Sequence, residues 1–204
     1  MGGPGQAWAP DARRASHFKL GGAVVIKTDL WQDLPTGEHA PEVVYAVVEI
    51  PRGHRNKYEY NKKLGVIHLS RVLFSPMHYP GDYGFIPQTC ADDGDPLDIL
   101  VMVTEPTFPG CVIEVRPIGV FHMLDNREGD EKILAVPAAD PLFGQYDSIT
   151  DVPKHYLAQV SHFFETYKQL EGVHVQALDW EDVDAARAVI RECCERYKRI
   201  YGPK

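Results

Sequence analysis

Asp92-Asp93-Gly94-Asp95-Pro96-Leu97-Asp98 sets four carboxylates within seven residues. Like charges a few ångströms apart raise each other's pKa and cost free energy unless solvent or a cation compensates them. Solvation alone would suit a loose surface loop. Here Pro96-Leu97 stiffens the approach and Asp98 opens an apolar run, Ile99 to Val103, which points to a bound cation instead. Carboxylates are hard oxygen ligands and favour Mg2+, Mn2+ or Ca2+ over zinc. A calcium loop of the EF-hand type fails, because positions 5 and 6 counted from Asp93 hold Leu97 and Asp98 rather than an acid or amide and a glycine. A phosphate-accepting aspartate fails as well, since Gln88-Thr89-Cys90-Ala91 is a poor strand to precede one. Mg2+, which keeps several waters and takes few carboxylates alongside substrate phosphates, fits best.

A second acidic stretch, Asp125-Asn126-Arg127-Glu128-Gly129-Asp130-Glu131-Lys132, also lies between two expected strands. Alone it reads as an exposed charged hairpin. Two such clusters flanking strands of one small domain suggest a shared site. Glu49 and Glu59, set in or at the end of apolar strands, are further carboxylates without a structural explanation. Their basic and phenolic counterparts are Lys57, Arg71, Tyr79, Tyr83, Lys132, Tyr167 and Lys168. Each has a bland explanation; Lys168 near a helix C-terminus, for instance, complements the dipole. Together, cations and phenols beside a metal cluster describe a polyphosphate pocket, with Arg and Lys holding the non-bridging oxygens.

The elements that must position these groups are mostly strands. Val43 to Ile50 is β-branched and apolar and is stopped by Pro51-Arg52-Gly53. Lys57 to Tyr60 alternates charge with aromatic, the period of a half-buried strand, and Asn61 to Gly65 turns it into Val66 to Leu69. The section from His78 to Asp95 is too broken by Pro and Gly for a helix. Ile99 to Val103, Cys111 to Val115 with Ile118 to Phe121, and Ile133 to Val136 are further strands. Helices come late. Tyr156, Val160, Phe163 and Tyr167 recur at helical period behind Pro153, and Val183, Ala186, Ile190, Cys193 and Tyr197 repeat the pattern behind Asp179 or a near neighbour as cap. Short strands first and helices last predict an α+β chain, a β-barrel or sandwich with helices packed outside it.

At 204 residues the chain is one domain, or a domain with an appendage. Acids outnumber bases 29 to 21, which disfavours nucleic acid as partner at the level of the whole chain. No apolar run is long enough to span a bilayer. In residues 1–34, which read as an N-terminal extension, Arg13-Arg14 precede a short apolar patch, Ala23 to Ile26, that Lys27 ends too early for a twin-arginine export signal. A flexible extension is the simpler reading; a trimmed organelle transit segment stays open. Cys90, Cys111, Cys193 and Cys194 have no CxxC spacing, and reduced thiols in a cytoplasmic protein is the economical expectation.

The DGDPLD string from Asp93 to Asp98 resembles the signature of soluble, family I inorganic pyrophosphatases. So do Val48-Glu49-Ile50-Pro51, Lys57-Tyr58-Glu59, Arg71, Tyr79-Pro80 with Tyr83-Gly84, Pro109-Gly110, and Phe163 to Lys168, in order from about Glu42 to Tyr197. The resemblance implies a five-stranded OB-like barrel with two principal helices outside, spanning residues 35–204. It implies Mg2+-dependent hydrolysis of inorganic diphosphate by direct attack of a metal-activated water, several Mg2+ per site, Mn2+ as a substitute, and a homo-oligomer, with a hexamer favoured. It assigns metal ligation to Asp93, Asp98, Asp125, Asp130, Glu49 and Glu59, with Asp98 shared between two ions. Asp95 becomes the general base. Lys57, Arg71, Tyr83, Lys132, Tyr167 and Lys168 hold the phosphates, and Tyr79 supports the pocket. Two positions depart from the family pattern: Asn126, where many bacterial relatives carry a second acid, and Asp82, where Asn is usual. Competing readings are a metal-dependent phosphohydrolase of nucleotides or polyphosphate, which needs a base-stacking aromatic, and a non-catalytic OB-fold binding module.

Overall fold

The computed structural model describes residues 16–20 and 23–202, with side chains from residue 28 onward. The targeting and flexible-extension readings therefore fall, for residues 1–15, outside the described residues. Strands β1 (Ser16–Leu20) and β2 (Ala23–Lys27) form an antiparallel hairpin. Trp31, just beyond it, is buried against Tyr197 and Tyr201 and donates its indole N–H to the Thr89 carbonyl at 2.8 Å.

The expected strands form as β3 (Val44–Ile50), the hairpin β4 (Asn56–Asn61) and β5 (Val66–Val72), and then β6 (Asp82–Phe85), β7 (Asp98–Val101), β8 (Val112–Asp125) and β9 (Glu128–Pro137). Strand β6 lies inside the section that reads as merely broken. Its four residues are all buried, so no polar and apolar alternation marks them. Residues 112–125, expected as two strands, run as one through an irregularity between Pro117 and Gly119, where the missing proline N–H interrupts the ladder. Strand β8 pairs with β3, β3 with β6, β6 with β7, β7 in parallel with β9, and β9 back with β8. Five strands thus close into a ring, an OB-like barrel with no free edge among them.

Helix α1 (Lys154–Thr166) follows Pro153, which stands at the N-cap rather than in the first turn. Strand β10 (Val175–Asp182), mostly exposed and therefore without a marked alternation in the sequence, adds to β8 outside the ring. Asp182, a near neighbour of Asp179, caps helix α2 (Val183–Tyr201) by accepting from the Val183 N–H.

Period-two alternation splits the barrel strands between two cores. Leu100, Phe121, Met123, Leu134 and Val136 pack toward Val160, Phe163 and Phe164 of α1. Ile99, Val101, Val120, Ile133 and Ala135 pack toward Ala186, Ile190 and Cys193 of α2. Asp98 and Lys132 continue the first series by two residues past Leu100 and Leu134, so the polar site caps the α1-side core.

Two positions tie the ring tightly. A Cβ on Gly84 of β6 would stand 1.9 Å from the Val47 carbonyl oxygen of β3, so only glycine permits this approach. The Asp82 carboxylate, fully buried, accepts from the Arg52 N–H at 2.8 Å and from the Thr107 N–H and hydroxyl at 3.0 and 2.6 Å. Asp82 is thus a satisfied structural anion joining the loops after β3 and β7. Asn126 and Arg127 hold φ of 51° and 74° in the tight turn between β8 and β9. Asparagine is among the residues that tolerate this region best, which accounts for Asn126 by backbone geometry.

Candidate active site

At one end of the barrel the second acidic stretch, the DGDPLD loop and the β4–β5 hairpin surround an open cleft of about 560 Å3. Every residue that the resemblance assigns to the site lines it except Arg71, while Asp92 of the acidic string turns away to pair with Arg196. Arg71 stands opposite Lys57 across the β4–β5 ladder, but its Nε is ion-paired with Glu171 at 3.0 Å. Glu171 belongs to a single 3-10 turn after α1 that no sequence pattern announced.

The parallel register of β7 and β9 sets Asp98 directly opposite Lys132. Lys132 Nζ, almost wholly buried, donates to Asp98 Oδ2 and to Asp130 Oδ1, both at 2.6 Å. Asp130 and Lys132 meet because they are two apart on one strand face. The Tyr83 hydroxyl donates to the same Asp98 oxygen at 2.5 Å. Burial works against the Lys132 ammonium, but Asp98 and Asp130 together outweigh it and hold its pKa above the ordinary lysine value. Burial lifts the Asp130 carboxyl, with the Asp98 and Asp125 charges adding and Lys132 opposing.

On the facing wall, burial pushes Glu49 up to about 8, against the Tyr60 N–H that donates to its Oε1 at 2.6 Å and with Asp98 adding to the rise. Glu59 shows the reverse: burial raises its pKa, but the Lys57 ammonium at 2.6 Å and a Ser70 hydrogen bond bring it below the ordinary value. Lys168, just past the end of α1, pairs with Asp125 Oδ2, while Asp125 Oδ1 is buried with no hydrogen-bond partner. Burial, reinforced by nearby charged and phenolic groups, raises Tyr79, Tyr83 and Tyr167 well above the phenol norm. All three therefore stay neutral O–H donors.

Sequence reading missed Lys62, whose ammonium pairs with Asp95, and His68 on the cleft wall, and it gave Glu131 of the second acidic stretch no role of its own. Lys62 and Lys63 follow the alternating strand as an ordinary charged turn, so only the fold reveals what they face. The cleft thus holds eight carboxylates (Glu49, Glu59, Asp93, Asp95, Asp98, Asp125, Asp130 and Glu131) against five lysines (Lys57, Lys62, Lys63, Lys132 and Lys168). Among the described residues no three metal-ligating side chains are drawn together as a ready-made cage, since lysines occupy Asp95, Asp98, Asp125 and Asp130. The chemistry of the donor set nevertheless fits hard divalent cations: oxygens dominate, and one carboxylate oxygen is buried without a partner.

A closed OB-like barrel thus gathers carboxylates, lysines and neutral phenols around one cleft at its rim, an arrangement suited to an anionic substrate that enters with cations. Comparison with known proteins makes this specific. The family model described as inorganic pyrophosphatase matches residues 46–198. An inorganic pyrophosphatase of Halalkalibacterium halodurans is 53% identical over 158 residues, covering 78% of this chain and 97% of that protein. One from Haloferax volcanii is 49% identical over 175 residues, covering 85% of this chain and 99% of that protein. The crystal structure of inorganic pyrophosphatase from Thermus thermophilus superposes with a TM-score of 0.81 at 49% identity, covering 84% of this chain and 99% of that one. The chain belongs to the inorganic pyrophosphatase family and is a hydrolase of inorganic diphosphate.

Proposed function

We propose that hydrolysis takes place in this cleft with Mg2+ as cofactor, by direct attack of water on one phosphorus and without a covalent intermediate. The observation that carries the reading is the buried Lys132 held between Asp98 and Asp130 in a cleft whose carboxylates outnumber its lysines. Such a cleft would repel a diphosphate polyanion unless further cations entered with it. Asp93, Asp98, Asp125, Asp130, Glu49 and Glu59 would hold them, with Mn2+ able to substitute for Mg2+. When bound, the cation supplies charge neutralisation and an acidified water. Asp95 takes the proton of the attacking water as the new P–O bond forms and the bridging P–O bond breaks. Lys57, Lys132, Lys168, Tyr83 and Tyr167 donate to the phosphate oxygens and to the departing group, Tyr79 backs the pocket, and Arg71 joins from its place beside Glu171.

Cleft shape favours inorganic diphosphate over a nucleotide. The aromatic residues of its wall (Tyr60, Tyr79, Tyr83, Phe85 and Tyr167) are all buried and offer no open ring face to a base. The deciding experiment measures phosphate release from diphosphate with and without Mg2+. Activity that requires Mg2+, with a fall of at least about a hundredfold in Asp95→Asn, supports the reading. An inactive wild type, a fully active Asp95→Asn, or ATP cleaved as fast as diphosphate sinks it.

The same reading covers the hydrolase domain of residues 35–204, residence in the cytoplasm and assembly as a homo-oligomer, a hexamer being favoured. Four free thiols fit a reducing compartment, and no helix among the described residues is long and apolar enough to cross a membrane. Light scattering on the full chain tests the assembly; a monomer overturns it.

A further inference from the structure

Asp95 stands at the rim of the cleft on a loop, and its side chain is two-thirds exposed. Nothing about such an aspartate fixes its direction, yet a displacement of about 1 Å at a reacting group can cost two orders of magnitude in rate. Among the described residues one cation meets its carboxylate: Lys62, from the turn after β4. An exposed ion pair alone is worth little, because two mobile side chains must be ordered to make it. Lys62 is not held by that pair alone. Its ammonium also donates to the Gly94 carbonyl at 3.1 Å and lies 4.3 Å above the centre of the Trp31 ring.

Trp31 is itself fixed. It is buried, edge-on to Tyr197 and Tyr201, and its indole N–H holds the Thr89 carbonyl. The Thr89 hydroxyl in turn accepts from the Leu97 N–H at 2.9 Å, which pinches the acidic loop at its base. One aromatic side chain thus secures the base of the loop through Thr89 and its crown through Lys62. It comes from a segment that precedes the residues matched by the family model.

The geometry points to Lys62 as a positioning residue for Asp95, with Trp31 as the shelf that keeps Lys62 in place. The inference rests on the proposal that Asp95 handles the proton of the attacking water. A clamp of this kind acts on the reacting geometry and leaves diphosphate binding to the inner lysines, so its loss falls on kcat and spares KM.

The test measures kcat and KM for diphosphate in the full chain with Mg2+. Lys62→Met is expected to lower kcat about tenfold while KM stays within about twofold, and Lys62→Arg to recover kcat to within about threefold of wild type. Trp31→Leu is expected to lower kcat at least as far, and its effect is expected to shrink in a Lys62→Met background, leaving only the part that comes from the lost Thr89 contact. Trp31→Phe keeps a ring beneath the ammonium and guards against a misfolded leucine variant; its smaller loss must shrink in the same background. A raised KM at unchanged kcat would make Lys62 a substrate anchor and overturn the proposal. So would a wild-type kcat in Lys62→Met, or a Trp31 effect undiminished when Lys62 is absent. Asp95→Asn is assayed alongside. If it is fully active, the assignment of Asp95 fails; if it is inactive while Lys62→Met matches wild type, only the clamp fails.

Discussion

Lys132 is the residue on which the site's charge balance turns. Removing its ammonium leaves Asp98 and Asp130 facing one another in a largely buried space. Lys132→Met should therefore cost about 3 kcal/mol in urea unfolding, the scale of a broken buried ion pair, and should abolish diphosphate hydrolysis. Glu49 gives a pH signature of the opposite kind. Its pKa rises from 4.5 in the unfolded chain to about 8 in the fold, so between these values the folded state binds more protons. Stability of the metal-free protein must then fall as pH rises from about 4.5 to about 8. Glu49→Gln, which keeps an acceptor for the Tyr60 N–H, should flatten that slope in thermal melts across the window; an unchanged slope would refute the assignment. Residues of this type were legible in the sequence because carboxylates, phenols and cations stood out against apolar strands. Lys62 was not, since its meaning lies in a loop 33 residues away that only the fold brings near.

Elements of the barrel are held by contacts that admit few replacements. Gly84→Ala drives a methyl group into the β3 backbone and should cost about 3 kcal/mol, read as a lowered urea midpoint, with activity reduced because β6 carries Tyr83. The β8–β9 turn makes a gentler test. Asn126→Val forces a β-branched residue into left-handed backbone and should lose about 1–3 kcal/mol, whereas Asn126→Gly should stay near wild type in the same measurement. Strand alternation made β4 readable, the turn after it made β5 readable, and stripes of helical period made both helices readable. Strand β6 carries no alternation because both its faces are covered, and β10 carries little because it lies outside the ring. The distinction between a chain segment with pattern and one without it is the distinction between half-burial and uniform environment.

Across the whole molecule the surplus of acid over base, 29 to 21, gathers in part at one mouth of the barrel. On the proposed reading divalent cations bind there and stabilise the fold by mass action. Saturating Mg2+ should therefore raise Tm, and chelation should remove both the increment and the activity. Calorimetry with and without chelator checks this, and the increment should shrink in Asp98→Asn. A Tm indifferent to Mg2+ in wild type would count against the carboxylate cluster as a cation site.

The parallel register between β7 and β9 has one more consequence, for how the enzyme comes to life. Asp98 and Lys132 are 34 residues apart in sequence and meet when the ring closes. Such distant pairings are slow to form because their loop entropy is spent before any contact rewards it. Activity should therefore appear only once β7 and β9 have paired, and an assay for released phosphate during refolding checks this.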